Sequence, residues 1–133
     1  MVQKEVGDRF KAMPGSKDYG SLSVFLNYYF NIIKLLDISR NIFIPKPNVD
    51  SIVVEFSKKN DLPFLKNEKL FFKIVRDSFK QKRKTIRNNL KDYNLDAIEK
   101  VLVKYGFDLS VRAEALGIDI FVDIANELGE NDV

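Results

Sequence analysis

The residues best suited to chemistry in this chain form a basic segment between positions 80 and 91. The segment has no acidic residue and three side-chain amides, and its six cations are Lys80, Lys82, Arg83, Lys84, Arg87 and Lys91. On a helix, Arg83 and Arg87 would share one face with three of the other cations, opposite an apolar stripe. Such a face would contact several phosphates of a nucleic acid, with an affinity that falls as salt rises. A solvated helix face is the alternative, but six uncompensated charges repel one another and favour nucleic-acid contact.

A second candidate is the loop that contains Phe43, Pro45 and Pro47. Each proline fixes its own φ near −65° and pushes the residue before it into an extended conformation, so the loop is stiff. A stiff loop can hold an exposed Phe43 ring ready to stack on a nucleobase, which is worth about 1–3 kcal/mol per base. The alternative is a buried Phe43 with the prolines as a linker. Residue types alone favour that alternative, because phenylalanines are usually buried.

Residue types exclude several kinds of catalytic site. Cysteine and histidine are both absent, which removes the histidine-activated nucleophiles and most zinc sites. Asp119 and Asp123 are carboxylates at helical spacing and are more typical of a solvated face than of an acid–base pair. Arg112 and Glu114 fit a structural ion pair. The six glycines are scattered and form no phosphate-binding loop, so we expect no catalytic, metal or cofactor-binding residue in this chain.

Composition and charge indicate a soluble globular protein with a polyanionic partner. The 133 residues are 45% apolar and 31% charged, as in ordinary folded domains. Residues 1–91 hold 19 Lys and Arg against 9 Asp and Glu, a net charge of +10, whereas residues 92–133 hold 3 against 10, a net charge of −7. The basic part favours a polyanion. No apolar run reaches the roughly 20 residues that cross a bilayer, so we expect no membrane partner, and a cysteine-free chain is compatible with the cytoplasm.

The first part of the chain mixes strands and helices. The end of a strand at residues 1–3, the alternating run 30–38 and the β-branched run 49–57 predict three strands. Apolar residues on both faces of the run 49–57 predict a strand covered on both sides. Two helices are expected between the strands: the first is ended by Pro14 and Gly15, and the second is capped by Ser21.

A polar break at residues 58–63 separates this part from a purely helical one. Apolar spacing there predicts a helix carrying residues 70–79, the basic segment as a short helix, a third helix ended by Gly106, and a fourth capped by Asp119 and ended by Gly129. We therefore expect an α/β domain over residues 1–59 and a small all-α domain over residues 60–133. Residues 1–59 bury little surface alone, so they fit better as one end of a larger sheet.

Several motifs resemble those of the ribosomal RNA adenine dimethyltransferases. They are Met1-Val2-Gln3-Lys4-Glu5-Val6 with Asp8-Arg9, Pro14-Gly15-Ser16-Lys17-Asp18-Tyr19-Gly20-Ser21-Leu22-Ser23, Phe43-x-Pro45-x-Pro47-x-Val49-Asp50-Ser51, the run from Phe79 to Leu90, and Arg112-Ala113-Glu114. The motifs occur in the family's order and cover nearly the whole chain. The run from Lys82 to Leu90 and Arg112-Ala113-Glu114 resemble the bacterial housekeeping branch, which acts on the small-subunit rRNA.

The resemblance implies a Rossmann-like methyltransferase sheet followed by a small helical domain. Residues 1–59 would correspond to the last strands and helices of that sheet, and residues 60–133 to the rRNA-binding helical domain. The family's glycine-rich donor loop, its acidic ribose-binding residue and its Asn-Leu-Pro-Tyr motif lie upstream of the point that Met1 matches. S-adenosylmethionine would then be the cofactor of the full-length parent, which dimethylates two adjacent adenosines near the 3′ end of 16S rRNA, and this chain alone would be inactive.

The resemblance also assigns roles to the two candidate sites. Phe43, with Pro45 and Pro47, would help to sandwich the target base, which must leave its stack to be methylated. The basic segment would bind the rRNA backbone of the small ribosomal subunit. A sheet that lacks its neighbouring strands has an exposed edge, which predicts self-association.

Two other functions remain open at this point. The chain also fits a freestanding nucleic-acid-binding helical module without catalysis, because the basic segment needs no donor site. It fits, too, the related branch that methylates one adenosine of 23S rRNA and confers macrolide resistance. Upstream sequence that contains the donor loop would distinguish the enzyme from the binding module.

Overall fold

The computed structural model describes residues 1–42, 44–45 and 47–131, with side chains up to residue 129. The first part of the chain forms a three-stranded antiparallel sheet with two helices. Its elements are β1 (Val2–Gln3), α1 (Lys4–Phe10), α2 (Ser21–Tyr29), β2 (Phe30–Ile38) and β3 (Ser51–Lys58). The strand order is β1-β3-β2, so the last strand lies in the middle. The three predicted strands are confirmed to within two residues at each end.

The two helices of this part differ from their predicted ends. The first helix, α1, ends at Phe10, well before Pro14, and the chain then turns at Gly15, whose φ is +91°. Gly20, rather than Ser21, is the residue that precedes α2. The Gly20 N–H donates to the Ser23 hydroxyl at 3.2 Å. The side chain of a serine three residues further along thus provides an acceptor for the backbone N–H that precedes the helix.

One glycine sets how closely α1 approaches the sheet. A Cβ at Gly7 would lie 2.2 Å from Cδ1 of Ile52 and 3.2 Å from Cγ2 of Val2. A Cβ at position 7 would overlap the Ile52 side chain unless that side chain moved, so glycine at this position allows α1 to lie close against β1 and β3. Ile52 is completely buried by this contact.

The second part of the chain is helical, as predicted. Its elements are α3 (Glu68–Ser78), α4 (Ile86–Asn89), α5 (Leu95–Lys104) and α6 (Ile118–Asn131), with a 3-10 turn at Ala113–Ala115. A further 3-10 turn, Arg40–Ile42, lies between β2 and β3 in the first part. The side chains of Asn67, Thr85 and Asn94 each accept a backbone N–H three residues ahead, which stabilises the starts of α3, α4 and α5. Gly106 ends α5 as predicted, with φ of +83°.

The fourth predicted helix has different ends from those expected. It begins at Ile118, so Asp119 lies in its first turn, where the carboxylate favours the positive end of the helix dipole, and does not cap it. The helix also continues through Gly129 to Asn131. A Cβ at Gly129 would lie 3.6 Å from Cβ of Lys66, an ordinary van der Waals contact, so the chain before α3 lies beside α6 at this position.

The hydrophobic core joins the helical part to the turn and helix before it. Tyr19, Val24 and Tyr28 pack with buried residues of α3, α5 and α6, among them Phe71, Ile98, Leu102, Phe121 and Ile124. The core therefore includes α2 as well as the helices after residue 60. The division into two domains at residue 59 stays a prediction. No helix in the described part of the chain has the length and apolar character that crossing a membrane requires.

Candidate nucleic-acid interface

The basic segment is not the continuous helix that its spacing predicts. Helix α3 ends at Ser78, residues 79–85 form turns, and α4 contains only Arg87 of the six cations. The prediction that Arg83 and Arg87 share a helical face is therefore wrong. Two causes fit: closely spaced like charges destabilise a helix, and Phe79 turns inward, where its ring centroid lies 5.8 Å from that of Phe121.

Asn89 holds the turn in place. Its side-chain amide donates to the carbonyl oxygens of Ser78, at 2.8 Å, and Gln81, at 3.0 Å. The Lys84 N–H donates to the same Gln81 carbonyl oxygen at 2.9 Å. One half-buried amide thus connects the end of α3, the turn and the end of α4, so the cations are presented by a fixed loop.

Helix α4 is anchored to the chain segment that precedes α6. The N–H groups of Ile86 and Arg87 donate to the carbonyl oxygens of Val111, at 2.8 Å, and Leu109, at 3.0 Å. Ile86 and Leu90 are completely buried. The backbone donors at the start of α4 are therefore occupied, and any affinity of this surface for phosphate comes from the side chains.

All six cations of the basic segment are exposed, which fits both a binding surface and a solvated face. None of them takes part in an ion pair among the residues that the structure describes. Lys82 donates to the Lys17 carbonyl oxygen at 2.7 Å. Arg87 lies near Asp108: the hydrogen bonds from Ser110, and to a smaller extent the charge of Arg87, hold the pKa of Asp108 below its usual value.

The turn at Lys17 and Asp18 lies between the two predicted sites. On one side it contacts the basic segment through Lys82. On the other side it shares a cleft of about 370 Å³ with Arg40, Asn48 and other residues at the base of the proline loop. The structure thus brings the basic segment and the base of the loop to neighbouring sides of one turn.

Tyr19 fixes this turn, although its residue type and spacing did not mark it as a functional residue. Its hydroxyl donates to the Leu116 carbonyl oxygen at 2.7 Å, and burial raises its pKa. Its ring packs edge-on against Phe79, the residue before the basic segment, with the centroids 5.9 Å apart. The Gly15 N–H also donates to the Glu114 carbonyl oxygen at 2.6 Å. The sequence signal that could have identified Tyr19 is its position as an aromatic residue in a polar turn between two glycines.

The proline loop is described only in part, because Phe43 and Lys46 lie outside the described residues. The predicted position of the Phe43 ring therefore stays a prediction. Pro45 and Pro47 are exposed and line a cleft of about 290 Å³ together with Met1, Gln3, Val49 and Ser51.

Arg40 closes the base of the proline loop, a role that the sequence does not reveal. Its guanidinium donates to the Asn48 carbonyl oxygen at 2.7 Å, and its backbone N–H donates to the Asp50 carboxylate at 3.0 Å.

The described residues contain no group of three acidic, histidine or cysteine side chains placed to hold a metal ion.

Comparison with known proteins gives a consistent set of relatives. The family model described as ribosomal RNA adenine dimethylase matches residues 1–130. Ribosomal RNA small subunit methyltransferase A of Bacillus cytotoxicus is 43% identical over 135 residues, and the protein of the same name in Geobacillus kaustophilus is also 43% identical. Each match covers 96% of this chain and 46% of the relative. The chain thus spans about half the length of these relatives.

Solved structures share the fold. A dimethyladenosine transferase from Plasmodium falciparum superposes with a TM-score of 0.78 at 24% identity, covering 98% of this chain and 56% of that one. The 23S rRNA methyltransferase ErmE superposes with a TM-score of 0.64 at 20% identity, covering 95% of this chain and 52% of that one. These similarities extend over both the sheet and the helical part.

Proposed function

Because the chain belongs to the ribosomal RNA adenine dimethylase family, we propose that it is the carboxy-terminal portion of an S-adenosylmethionine-dependent 16S rRNA dimethyltransferase. The parent enzyme would dimethylate two adjacent adenosines near the 3′ end of that rRNA during maturation of the small ribosomal subunit, in the cytoplasm. Donor binding and catalysis belong to the part of the family's length that this chain does not span. Alone, the chain is an inactive RNA-binding portion of the enzyme.

The observation that carries the proposal is the fixed basic turn at residues 80–91. Its six cations are exposed, and Asn89 and the buried Ile86 and Leu90 hold its backbone. Because the backbone beneath the cations is already fixed, binding phosphates orders only the side chains and not the loop itself. Because phosphate contacts position a nucleic acid but do not read its sequence, the role of this surface is to hold rRNA in place beside the site of methylation.

The proline loop would act on the base itself. A target adenine must leave its stack before its amino group can be methylated, and an extruded base needs an aromatic or apolar surface to lie against. Phe43, Pro45 and Pro47 would supply that surface. The turn at Lys17 and Asp18 lies between this loop and the basic turn, which supports a division of labour between backbone binding and base binding.

The proposal is tested by measuring the salt dependence of RNA binding. An RNA with the sequence of the 3′ end of 16S rRNA is titrated with the chain and with the Arg83→Ala and Arg87→Ala variants. We expect weaker binding and a salt slope reduced by about 1 for each phosphate that the variant no longer neutralises. Lys100→Ala and Lys104→Ala in α5 are matched controls with the same change in charge, and they should leave binding nearly unchanged. Equal effects of the two pairs would show that charge acts diffusely, and no effect of either pair would show that the basic turn is only a solvated surface.

Two alternative functions are separated by further measurements. A freestanding nucleic-acid-binding module would bind RNA through the same turn, but it would not support methylation when the missing portion of the family's chain is joined to it. A 23S rRNA enzyme would methylate large-subunit rather than small-subunit rRNA in that joined form. Methylation of 16S rRNA by the joined protein is the expected result.

A further inference from the structure

Tyr19 lines two clefts of opposite chemical character. One, of about 330 Å³, contains Arg9, Lys17 and Lys82 and belongs to the basic surface already described. The other, of about 460 Å³, is formed by the segment after α1, by α2, by residues 59 and 63 of the following segment, by the residue after α5 and by the start of α6. Its volume lies in the range of roughly 300–1,000 Å³ that is typical of ligand sites.

The walls of this second cleft are apolar and aromatic. Three of the five tyrosines of the chain line it, namely Tyr19, Tyr28 and Tyr105. The apolar residues that line it are Ala12, Met13, Pro14, Pro63, Ile118 and Ile120. Such walls suit the apolar stem of a ligand, and tyrosine rings can in addition attract a cation.

The charged groups on the α6 side of the cleft are carboxylates. Asp119 lines the cleft and is exposed, and Asp123 accepts a hydrogen bond from the Tyr105 hydroxyl. Neither carboxylate forms an ion pair in the described part of the chain. The hydrogen bond to Asp123, followed by burial and by the charges of Asp123 and Asp119, raises the pKa of Tyr105 to about 12. This side of the cleft therefore disfavours an anion and favours a cation.

The cation that lines the cleft, Lys59, is engaged within the protein. Its ammonium group donates to the Asn27 carbonyl oxygen. The Asn27 side chain donates in turn to the carbonyl oxygens of Phe10 and Ser23, both at 2.7 Å. Lys59 thus stabilises the α2 wall and leaves the charge of Asp119 unneutralised.

The rim of the cleft continues as exposed apolar surface. Pro63 lies between Leu62, which is 40% exposed, and Phe64, which is 73% exposed, and Met13 on the other wall is 71% exposed. Asn126 of α6 holds this segment, because its amide donates to the Phe64 carbonyl oxygen at 2.9 Å. Fixed apolar side chains around a cleft are typical of a protein-binding surface.

We propose that this cleft binds a basic segment of a partner protein. An arginine or lysine side chain of that segment enters beside Tyr105 and Asp119. The apolar residues next to it in the partner pack on Met13, Leu62 and Phe64. The proposal goes beyond the proposed function and does not depend on it, since it uses none of the cations of the basic turn.

Charge and apolar area favour this occupant over the other candidates. The carboxylates of Asp119 and Asp123 repel the phosphates of a nucleic acid. A free organic cation such as a polyamine would satisfy the carboxylates but would leave the rim at Leu62 and Phe64 uncovered. A peptide that combines cationic and apolar side chains satisfies both parts of the surface.

The test titrates the chain with a short peptide, blocked at both ends, in which arginine and leucine alternate. The reference peptide carries citrulline, the uncharged analogue of arginine, at each arginine position. Isothermal titration calorimetry should show saturable binding of the arginine peptide and binding about tenfold weaker for the citrulline peptide. The backbone amide signals of Ala12, Gly117 and Ile118 in an NMR spectrum should shift as the arginine peptide binds.

Variants locate the binding. Asp119→Asn combined with Asp123→Asn should weaken binding of the arginine peptide by about three- to tenfold. Asparagine can still accept the Tyr105 hydrogen bond, so the circular dichroism spectrum should stay the same. Asp92→Asn combined with Asp96→Asn changes the net charge equally at exposed positions that do not line the cleft, and it should leave binding nearly unchanged.

Four results would overturn the proposal. Equal effects of the two pairs would show that only the net charge attracts the peptide, and equal binding of the citrulline peptide would show that no cation is recognised. Spermidine that binds as tightly as the peptide, with the same dependence on Asp119 and Asp123, would assign the cleft to a free cation. Binding of a short oligouridine that Tyr105→Leu weakens and Arg83→Ala does not would assign it to RNA.

Discussion

The hydroxyl of Tyr19 donates a 2.7 Å hydrogen bond to the carbonyl oxygen of Leu116, 97 residues further along the chain. Tyr19 is 4% exposed and Leu116 is completely buried. The bond connects the turn before α2 to the segment before α6. Because the Tyr19 ring also packs on Phe79, the same side chain sets where the basic turn begins.

Replacing Tyr19 by phenylalanine should destabilise the protein by about 1–3 kcal/mol, since it leaves the buried Leu116 carbonyl without this donor. Urea unfolding measures the difference. Tyr105→Phe is the matched control, because it also removes a hydroxyl, one that donates to the Asp123 carboxylate at the surface. The control should cost less, because water can replace the lost hydroxyl at an exposed carboxylate but not at a buried carbonyl. Equal costs would show that burial of the Tyr19 bond is not what matters.

Replacing Asn89 by alanine should weaken RNA binding without changing the charge of the protein. The variant loses the bonds to the Ser78 and Gln81 carbonyl oxygens, and it should be less stable by about 1–2 kcal/mol. The salt slope of RNA binding should stay the same while the affinity falls. Asn88→Ala is the control, because the Asn88 side chain makes only a 3.5 Å hydrogen bond with Gln81. An Asn89→Ala protein that binds RNA like the original would show that the shape of the turn is unimportant.

Replacing Asp108 by asparagine should strengthen RNA binding by about threefold, the scale of one exposed charge interaction. Asp108 lies close enough to Arg87 for the two charges to interact, so the carboxylate partly offsets a cation that we expect to contact phosphate. Asparagine keeps the oxygen that accepts the Ser110 N–H. Asp119→Asn in the first turn of α6 changes the net charge equally and should have a smaller effect. Binding that Asp108→Asn weakens would place Arg87 outside the RNA-binding surface.

The isolated chain should show no saturable binding of S-adenosylmethionine. The six glycines of its sequence are scattered, and the proposal assigns donor binding to the part of the family's length that this chain does not span. Isothermal titration calorimetry measures this directly. The positive control is a chimera in which the unmatched part of the Bacillus cytotoxicus relative precedes the chain. Micromolar binding by the isolated chain would contradict the proposal that donor binding belongs to the part of the family's length that this chain does not span.

Much of the fold follows from local sequence patterns. The alternation in residues 30–38 predicts β2 to the residue, and Gly106 ends α5 because glycine tolerates a positive φ. The same reasoning predicts that Gly129 ends the last helix, but buried contacts along α6 outweigh the roughly 1 kcal/mol that glycine costs inside a helix. Those contacts come from distant parts of the chain, so local spacing cannot reveal them.

The candidate site, too, is predicted by the sequence only in part. The exposure of its cations follows from their type and density, and the structure has all six at the surface. Their arrangement on a turn depends on the bonds from Asn89 to Ser78 and Gln81 and on the packing of Phe79 against Tyr19. An asparagine in a basic run shows none of this in sequence, because the same amide can as easily bind a phosphate or water.

The turn at residues 80–91 separates the residues that determine its shape from those that determine its charge. Asn89 and Thr85 are uncharged, and their side chains form hydrogen bonds with backbone groups of the turn. Lys80, Arg83 and Lys84, in contrast, are exposed to solvent. Mutation can therefore add, remove or exchange cations here at little cost in folding free energy. In the proposed function, selection can thereby tune how long the protein stays on RNA, and hence how readily it is released, while the scaffold that presents those charges remains unchanged.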